Sequence, residues 1–368
     1  MKKVVIAPDS FKGTLSSAEV CGIVRDVLIK KYGDIEIIEI PIADGGEGMT
    51  DSFLYAFEDS QKVYMKAKSP LGREVDVYYG IIEGDTAVIE MAAASGITIE
   101  EKNDAVKAST YGTGEMIKHA LDSGIRKFVI GIGGSATTDG GIGCTSALGG
   151  RFLTKDGKSV ALCGEGLSDI DSIDLSGLDS RIKESEITVL CDVKNPLYGK
   201  NGAAYIFGPQ KGADPKTVEF LDSGLFNLAV KSELYLKKDY SQYEGTGAAG
   251  GLGFALVAFL GAELKRGIEA ILDITHFEEK TESADLVITG EGKMDYQSLM
   301  GKVPFGIASR SRGKKTIAIV GLNTADMEQV KQAGISEVIE TNPLHLPFEE
   351  IRANAKEDLM KAAEKIIV

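Results

Sequence analysis

The sequence predicts an α/β protein in which both ends of the chain form one parallel-sheet domain and a large mixed α/β domain is inserted between them. Short apolar runs followed by amphipathic helices occupy residues 4–57 and return near the C-terminus, as expected for a parallel sheet with helical connections. Residues 60–90 instead alternate apolar and polar side chains between short turns, a pattern typical of antiparallel strands. Domains are therefore expected at residues 1–59 with 281–368 and at residues 60–280.

The N-terminal segment is predicted to be a β-α-β-α unit. Val4–Ala7 is a continuous apolar run, typical of a strand that is buried on both faces of its sheet. Ser16 and Glu19 have the spacing of a capping box, which predicts a helix from there to about Lys31. The second strand and second helix are expected at residues 35–40 and 49–57.

The remaining elements follow the same two patterns. In the inserted domain, strands are predicted at residues 62–67, 75–80, 86–90, 128–132 and 187–190, and helices at 113–123, 216–238 and 254–264. In the C-terminal segment, strands are predicted at residues 286–288, 316–320 and 337–340, followed by a helix at 348–367.

Composition excludes several classes of function. The net charge of −14 argues against a nucleic-acid partner and against an anionic membrane surface. No apolar run approaches the ~20 residues of a membrane-spanning helix, and the N-terminus is unlike a secretory signal. The four cysteines lack CxxC spacing, so neither a structural zinc site nor a disulfide framework is expected. These features predict a cytoplasmic protein.

Glycine-rich loops follow several of the predicted strands. GGSATTDGG follows the strand at residues 128–132 and offers backbone N–H groups and hydroxyls that suit phosphate or carboxylate oxygens. GTGAAG at residues 245–250 matches a dinucleotide pattern, but no strand precedes it, so NAD binding is not expected. The candidate ligand-binding residues of the first loop are Gly133, Gly134, Ser135, Thr137, Thr138 and Asp139.

Carboxylates and lysines also gather after predicted strands. Any one of these carboxylates alone is most often a turn or cap residue. Together with neighbouring lysines they are better explained by a site for Mg²⁺ and phosphate, because Mg²⁺ prefers oxygen ligands and lysines neutralise phosphate charge. After the strand at residues 286–288, Gly290 and Gly292 are expected to form a tight loop. The carboxylates are Asp9, Asp44, Asp192, Glu291 and Asp295, and the lysines are Lys12, Lys194, Lys293 and Lys302.

Long motifs in order along residues 4–320 closely resemble the type-1 glycerate kinases. They are APDSFKGTLSS, PIADGGEGM, GIGGSATTDGGIG, CDVKNPLYGKNGAAYIFGPQKGA, GTGAAGGLGFALVAFLGAEL and TGEGKMDYQSLMGKVPFGIA. The segment from Glu340 to Val368 looks less like this family. The resemblance implies ATP-dependent phosphorylation of D-glycerate, with 2-phosphoglycerate favoured over 3-phosphoglycerate as the product. It also implies a Rossmann-like or flavodoxin-like domain with a large insertion, and an active site between the two domains.

Roles can be suggested for the candidate residues on this basis. Asp192 is the expected base for the glycerate hydroxyl, although it could instead be a turn residue, with Asp295 as the base. Lys293 and Lys12 are expected to act on the developing charge, and Asp295 and Glu291 to hold Mg²⁺. The residues expected to bind substrate or nucleotide outside the glycine loop are Asp9, Ser10, Asp44, Glu47, Asn195 and Lys302.

Two other functions remain open from the sequence. One is a Mg²⁺-dependent phosphoryl transferase for another small hydroxy acid, and the other is a ligand-binding relative without catalysis. The intact acidic loops favour an active enzyme. A homodimer is one option for the assembly, and no macromolecular partner of another kind is expected.

Overall fold

The computed structural model describes residues 2–42, 46, 48–296, 298, 302–344 and 346–368. The strands are β1 (Lys2–Pro8), β2 (Ile35–Glu39), β3 (Gln61–Lys68), β4 (Glu74–Ile82), β5 (Thr86–Glu90), β6 (Lys127–Gly131), β7 (Arg151–Leu153), β8 (Ser172–Asp174), β9 (Glu186–Leu190), β10 (Glu263–Lys265), β11 (Leu286–Met294), β12 (Thr316–Asn323) and β13 (Glu337–Glu340).

The helices connect these strands. They are α1 (Ser17–Tyr32), α2 (Met49–Ala56), α3 (Ala92–Ser95), α4 (Tyr111–Asp122), α5 (Ile142–Ala147), α6 (Ala203–Phe207), α7 (Pro215–Leu236), α8 (Ala248–Ala258), α9 (Gly267–Ile274), α10 (Phe277–Thr281), α11 (Val303–Arg310), α12 (Met327–Gln332) and α13 (Phe348–Ala363). Short 3-10 helices cover Gly164–Asp169, Ser180–Glu184 and Pro209–Lys211.

The chain divides into two compact units. The first unit comprises residues 1–44, 51–58 and 267–368, and the second comprises residues 45–50 and 59–266. Residues 267–280, which the sequence pattern assigned to the inserted domain, belong to the first unit, where α9 packs with α10 and α11. The predicted fold class is confirmed: both ends of the chain share a parallel sheet, and the inserted part is mixed α/β.

The first unit is built on a parallel sheet with the strand order β13-β12-β11-β1-β2. On one face, apolar side chains such as Ile6 and Ile319 pack with α1 and α13. On the other face, Ala318 and Val320 pack with side chains of α11 and α12. Because the strands are parallel, the carboxyl ends of β1, β11 and β12 meet at the same edge of the sheet.

The capping box predicted for α1 is confirmed. The Ser16 hydroxyl accepts a hydrogen bond from the Glu19 N–H at 3.2 Å, and the Glu19 carboxylate accepts one from the Ser16 N–H at 3.0 Å. Such a cap contributes roughly 1 kcal/mol. Because the cap starts α1 at Ser17, residues 9–16 form a short loop at the carboxyl edge of the sheet, between the end of β1 and the helix.

The second unit is built on a mixed sheet with the order β10-β9-β6-β5-β4-β3. The antiparallel pairing predicted for the first strands holds for β3, β4 and β5, whereas β5, β6, β9 and β10 are parallel. The register places Glu90, Gly131, Leu190 and Lys265 in one row across these four strands. The glycine-rich loop after β6 and the segment after β9 therefore leave the sheet at the same edge.

The prediction of a tight loop at Gly290 and Gly292 is wrong, because both residues lie within β11. The strand continues to Met294 because β12 runs beside it, with Gly290 paired to Ile319 and Met294 paired to Asn323. Gly290 serves close packing: a Cβ built there would lie 2.2 Å from the Ile319 carbonyl oxygen. Glu291 and Lys293 are therefore strand residues.

The apolar helix predicted at residues 254–264 is also placed differently. It ends at Ala258, and residues 263–265 form β10 instead, because Gly261 turns the chain with φ of 72° and Glu263–Lys265 then pair with β9. At the start of α8, Ala249, Gly250 and Gly251 all have left-handed backbone conformations.

None of the helices in the described part of the chain has the length and apolar character needed to cross a membrane.

Candidate functional site

The predicted site residues fall into two groups, one in each unit. In the first unit, Asp9 follows β1, Glu291 lies on β11, and Asp295 follows β11. We call these three carboxylates the acidic cluster. Asp9 is tied to the neighbouring strand because its N–H donates to the Gly290 carbonyl at 2.8 Å. The charges of Asp9 and Asp295 both act on Glu291, so the fold brings the three side chains together at the carboxyl edge of the sheet.

Glu291 is the most buried member of the acidic cluster. Its side chain is only 5% exposed, and its Oε1 atom is buried without a hydrogen-bond partner among the described residues. Burial raises the pKa of Glu291 to about 7, and the negative charges of Asp9 and Asp295 add to this rise. A hydrogen bond from Ser298 and the positive charge of Lys302 oppose it. A buried, incompletely paired carboxylate is costly to the fold, which makes a functional reason for it credible.

Asp295 lies between two lysines. The Lys293 Nζ is 3.7 Å from Asp295 Oδ2, and the Lys302 Nζ is 3.9 Å from Asp295 Oδ1. Ser298 holds the carboxylate, since its N–H donates to Asp295 Oδ1 at 3.2 Å and its hydroxyl accepts from the Asp295 N–H at 3.1 Å. Lys302 immediately precedes α11 and is about half exposed. Both lysines are therefore accessible to an anion at this edge.

The loop after β1 contributes the other predicted residues of this group. The Ser10 N–H donates to Asp9 Oδ1 at 2.7 Å, and both residues are half-buried. The backbone of Phe11 and Lys12 passes over β11, because a Cβ added to Gly292 would lie 3.4 Å from the Lys12 nitrogen. The Lys12 side chain is exposed, so its backbone lies against the strand that carries Glu291 and Lys293.

The acidic cluster is compatible with Mg²⁺ but is not a complete cage of protein ligands. Among the described residues, no three histidine, cysteine or carboxylate side chains are arranged to hold a metal ion. Mg²⁺ commonly uses one or two carboxylates and takes its other ligands from water and phosphate oxygens. The Glu291 Oε1 atom, which has no hydrogen-bond partner in the described part of the chain, and the half-buried carboxylate of Asp295 fit such a partial site.

In the second unit, the glycine-rich loop after β6 exposes only its first residues. Gly134 is exposed and has φ of 71°, Gly133 is half-buried, and Ser135 is 8% exposed. Thr137, Thr138 and Asp139 are fully buried. A ligand can therefore reach Gly133 and Gly134, with Ser135 nearly buried beside them. The burial of Thr137, Thr138 and Asp139 opposes the contact with a ligand that was predicted for them.

Asp139 is used inside the protein. Its Oδ2 atom accepts hydrogen bonds from the N–H and the hydroxyl of Thr110, each at 2.8 Å, and its Oδ1 accepts one from the Gly141 N–H at 3.0 Å. The Gly143 N–H donates to Oδ2 at 3.3 Å. Burial raises the pKa of Asp139, and these hydrogen bonds oppose that rise. Asp139 thus anchors the start of α5 to the residue that precedes α4.

Asp192 and Asn195 follow β9 at the same edge of this sheet. Asp192 is exposed, and Asn195 is half-buried with its side-chain amide donating to the Asn201 carbonyl at 2.8 Å. The register of β6 and β9 puts Asp192 and the glycine-rich loop at neighbouring strand ends. The base role of Asp192 stays a prediction.

Glu90 is a polar residue at this edge that the sequence interpretation missed. It ends β5 and accepts hydrogen bonds from the N–H groups of Thr50 at 2.6 Å and Gly48 at 3.2 Å. Asp44 and Glu47, two of the predicted binding residues, lie outside the described residues. Glu90 thus fixes the backbone at Gly48 and Thr50. Its place at the end of an apolar strand was the signal that could have identified it.

The fold, with polar residues at the carboxyl edges of its sheets, places the protein among the α/β enzymes. The model of the glycerate kinase family matches residues 4–368, and the chain belongs to that family. The resemblance inferred from the motifs is therefore confirmed. The match includes residues 340–368, which the motif comparison had left aside.

Named relatives agree with this assignment. Glycerate 2-kinase of Escherichia coli K12 is 42% identical over 99% of this chain and 97% of its own length. Glycerate kinase of Bacillus subtilis 168 is 42% identical over 99% of this chain and 96% of its own length. The crystal structure of a protein provisionally assigned as glycerate kinase 2 from Salmonella typhimurium LT2 has a TM-score of 0.89 and 42% identity, and covers 99% of this chain and 96% of that one.

Proposed function

We propose that this protein transfers the γ-phosphoryl group of ATP to D-glycerate in a Mg²⁺-dependent reaction, with 2-phosphoglycerate as the product. The observation that carries the proposal is the acidic cluster in a member of the glycerate kinase family. Glu291 is buried beside Asp295 and its two lysines, with one oxygen that has no partner among the residues that the structure describes. The preference for the 2-hydroxyl is supported by the Escherichia coli relative, which is named glycerate 2-kinase.

Phosphoryl transfer requires that the charge on the moving group be neutralised while the acceptor oxygen is held in line with it. Lys293, Lys302 and Lys12 supply positive charge for this purpose in the first unit. The N–H groups of Gly133, Gly134 and Ser135 supply donors for anionic oxygens in the second. We assign charge neutralisation to the lysines and orientation of an anionic group to the glycine-rich loop.

Asp295 and Glu291 are the residues proposed to hold Mg²⁺. When bound there, the ion would supply positive charge that offsets the developing charge of the phosphoryl group. The Ser298 N–H orients the Asp295 carboxylate by donating to its Oδ1 atom, and the Ser298 hydroxyl accepts a hydrogen bond from the Asp295 backbone N–H. Lys302 favours the charged form of Glu291.

Asp192 is proposed to accept the proton of the glycerate hydroxyl. An exposed carboxylate at a strand end can contact a bound substrate without a cost for burying its charge. Asp295 is the alternative base, but Lys293 and Lys302 lie 3.7 and 3.9 Å from its carboxylate oxygens, and we assign it to the metal site instead.

The test is ATP consumption that requires both D-glycerate and Mg²⁺, with phosphorus NMR to identify the product. Product formation that stops when Mg²⁺ is chelated and returns when it is restored is the expected result. ATP consumption without D-glycerate, or only with another hydroxy acid in its place, would contradict the substrate assignment. Formation of 3-phosphoglycerate would contradict the assignment of the 2-hydroxyl as the acceptor. The interdomain active site, the cytoplasmic location and the homodimer stay predictions.

A further inference from the structure

A lysine outside the predicted site is buried in the second unit. Lys211 ends the short 3-10 helix Pro209–Lys211 within the motif GPQKGA, and its side chain is only 1% exposed. Its Nζ atom donates a hydrogen bond of 2.6 Å to the backbone carbonyl of Thr137. Lysine is almost never fully buried without a specific partner, so this contact calls for a reason.

The electrostatic surroundings of Lys211 support a specific role. Burial lowers the pKa of Lys211 to about 7, and the nearby charge of Asp139 opposes that change. An apolar side chain of similar length would fill the same space without this desolvation cost. The amine therefore does not improve packing, and what it adds is a donor directed at one carbonyl.

The Thr137 carbonyl is held from a second side. A Cβ added to Gly250 would lie 1.9 Å from the Thr137 oxygen, so the backbone of the left-handed segment 249–251 presses against the same group. The Gly140 N–H donates to the Gly250 carbonyl at 3.0 Å. The buried half of the glycine-rich loop is thus held between Lys211 and Gly250.

The accessible half of the loop lies immediately before this clamp. Gly134 and Ser135 are three and two residues before Thr137, and the Ala136 N–H donates to the Ser95 carbonyl at 2.9 Å. A shift of the Thr137 carbonyl would therefore displace the neighbouring N–H groups of Gly133 and Gly134, which are open to solvent. Lys211 cannot contact the ligand, since its side chain is buried.

We propose that Lys211 is a positioning residue that sets the place of the Gly133–Ser135 anion-binding loop through its hydrogen bond to the Thr137 carbonyl. This inference rests on the proposed function, in which that loop orients an anionic group of ATP or D-glycerate. It predicts that loss of the amine impairs substrate binding even when the rest of the unit is folded.

The test variant is Lys211→Met, which keeps the apolar stem and removes the donor. We expect KM for ATP or for D-glycerate to rise about tenfold or more, with a smaller effect on kcat. Hydrogen exchange of the amides of residues 136–140 should be faster than in the wild type. An unchanged KM for both substrates in a folded variant would overturn the proposal.

Two control variants separate positioning from general loss of stability. Lys237→Met removes another lysine-to-carbonyl hydrogen bond of 2.6 Å in the same unit, but Lys237 is exposed and remote in sequence from the loop. Ile125→Ala makes a cavity just before β6, at the end of the strand opposite the loop. Both controls should leave the two KM values within about twofold of the wild type. If Ile125→Ala raises KM as much as Lys211→Met does, the effect comes from stability and the proposal is wrong.

Folding failure is covered by a second variant. If Lys211→Met does not fold, Lys211→Leu, which also removes the donor, is measured in the same way, and the same rise in KM is expected. Failure of both variants to fold would assign Lys211 to the core and overturn the positioning role. If the wild type lacks D-glycerate-dependent ATP consumption, the proposed function fails, and hydrogen exchange in residues 136–140 still decides whether Lys211 holds the loop.

Discussion

Glu291 shows how the burial of one carboxylate can be costly to the fold. It lies on β11 beside Val320 of β12, so its side chain emerges next to apolar groups and is buried there. Burial disfavours the charged carboxylate, which raises its pKa to about 7. A bound cation would remove most of this cost, which links the proposed metal site to stability.

The first prediction concerns the pH dependence of stability without ligands. The folded-state pKa of Glu291 is about 7 against a reference value of 4.5, so the folded protein binds more protons in that interval. The stability contributed by the protonated form is complete below about pH 4.5 and is lost as the pH rises through 7. Glu291→Gln removes this dependence.

Urea unfolding in the presence of a chelator measures this effect. Between pH 4.5 and 8, the wild type should lose stability relative to Glu291→Gln by at most about 3 kcal/mol. Glu328→Gln is a control, since Glu328 is an exposed residue of the same unit. Parallel stability curves for wild type and Glu291→Gln would contradict the assigned pKa.

The second prediction concerns the metal. Asp295→Ala should raise the Mg²⁺ concentration needed for the half-maximal rate and lower kcat by on the order of 10²–10³. The matched control is Asp273→Ala, which removes a carboxylate 2.7 Å from Arg310 in the same unit. An unchanged rate with unchanged Mg²⁺ dependence in Asp295→Ala would remove this residue from the metal site.

The third prediction concerns the base. Asp192→Asn keeps the shape of the side chain and removes its basicity. We expect a collapse of kcat, with ATP affinity and Tm close to the wild-type values. A variant that is less stable but turns over normally once folded would make Asp192 a turn residue.

At the level of elements, the loop after β6 combines an exposed turn with a buried anchor. Gly134 has φ of 71° and only the Ala92 Cβ near it, at 3.4 Å from an added Cβ. Thr137, Thr138 and Asp139 are buried immediately after it. The buried second half fixes the chain on one side of Gly134, which limits the arrangements open to the N–H groups of the first half.

The fourth prediction tests that loop. Gly134→Val should raise KM for ATP or D-glycerate by about tenfold or more, because a branched side chain disfavours positive φ and obstructs the approach of an anion. Gly157→Val is the control, since Gly157 has φ of 75° with no atom within 4 Å of an added Cβ. Equal KM effects in both variants would indicate backbone strain and not ligand contact.

On the scale of the whole chain, charge opposes the proposed substrates. The net charge of −14 repels ATP and glycerate, so local lysines must reverse the field where they bind. Lys293 and Lys302 beside Asp295 are such a local group. Lys12 follows the neighbouring strand and is exposed.

The fifth prediction follows from this balance. Lys293→Met and Lys12→Met should each lower kcat by on the order of 10²–10³, as expected when a donor to developing charge is lost. Lys361→Met is the control, because it removes an equally exposed lysine of α13. Losses of only a few-fold in both site variants would assign the two lysines to the solvated surface.

Local patterns in the sequence were enough to predict much of the fold and to select residues for the candidate site. The capping box of Ser16 and Glu19 and the period-2 runs of β3, β4 and β5 depend on neighbours within a few residues. The position of carboxylates after apolar strands is equally local, and it indicated the acidic cluster. Long ordered motifs indicated the family, which the family model confirms.

Contacts between segments that are distant in the sequence decided the strand boundaries and the burial that local patterns did not predict. β11 extends to Met294 because β12 lies beside it, and residues 263–265 are a strand because β9 offers an edge. Burial turned Asp139 into an internal anchor and made Lys211, an ordinary surface residue by type, a donor inside the second unit. Propensity and periodicity are set by nearby residues, whereas register, burial and hydrogen-bond partners depend on which remote segments pack together.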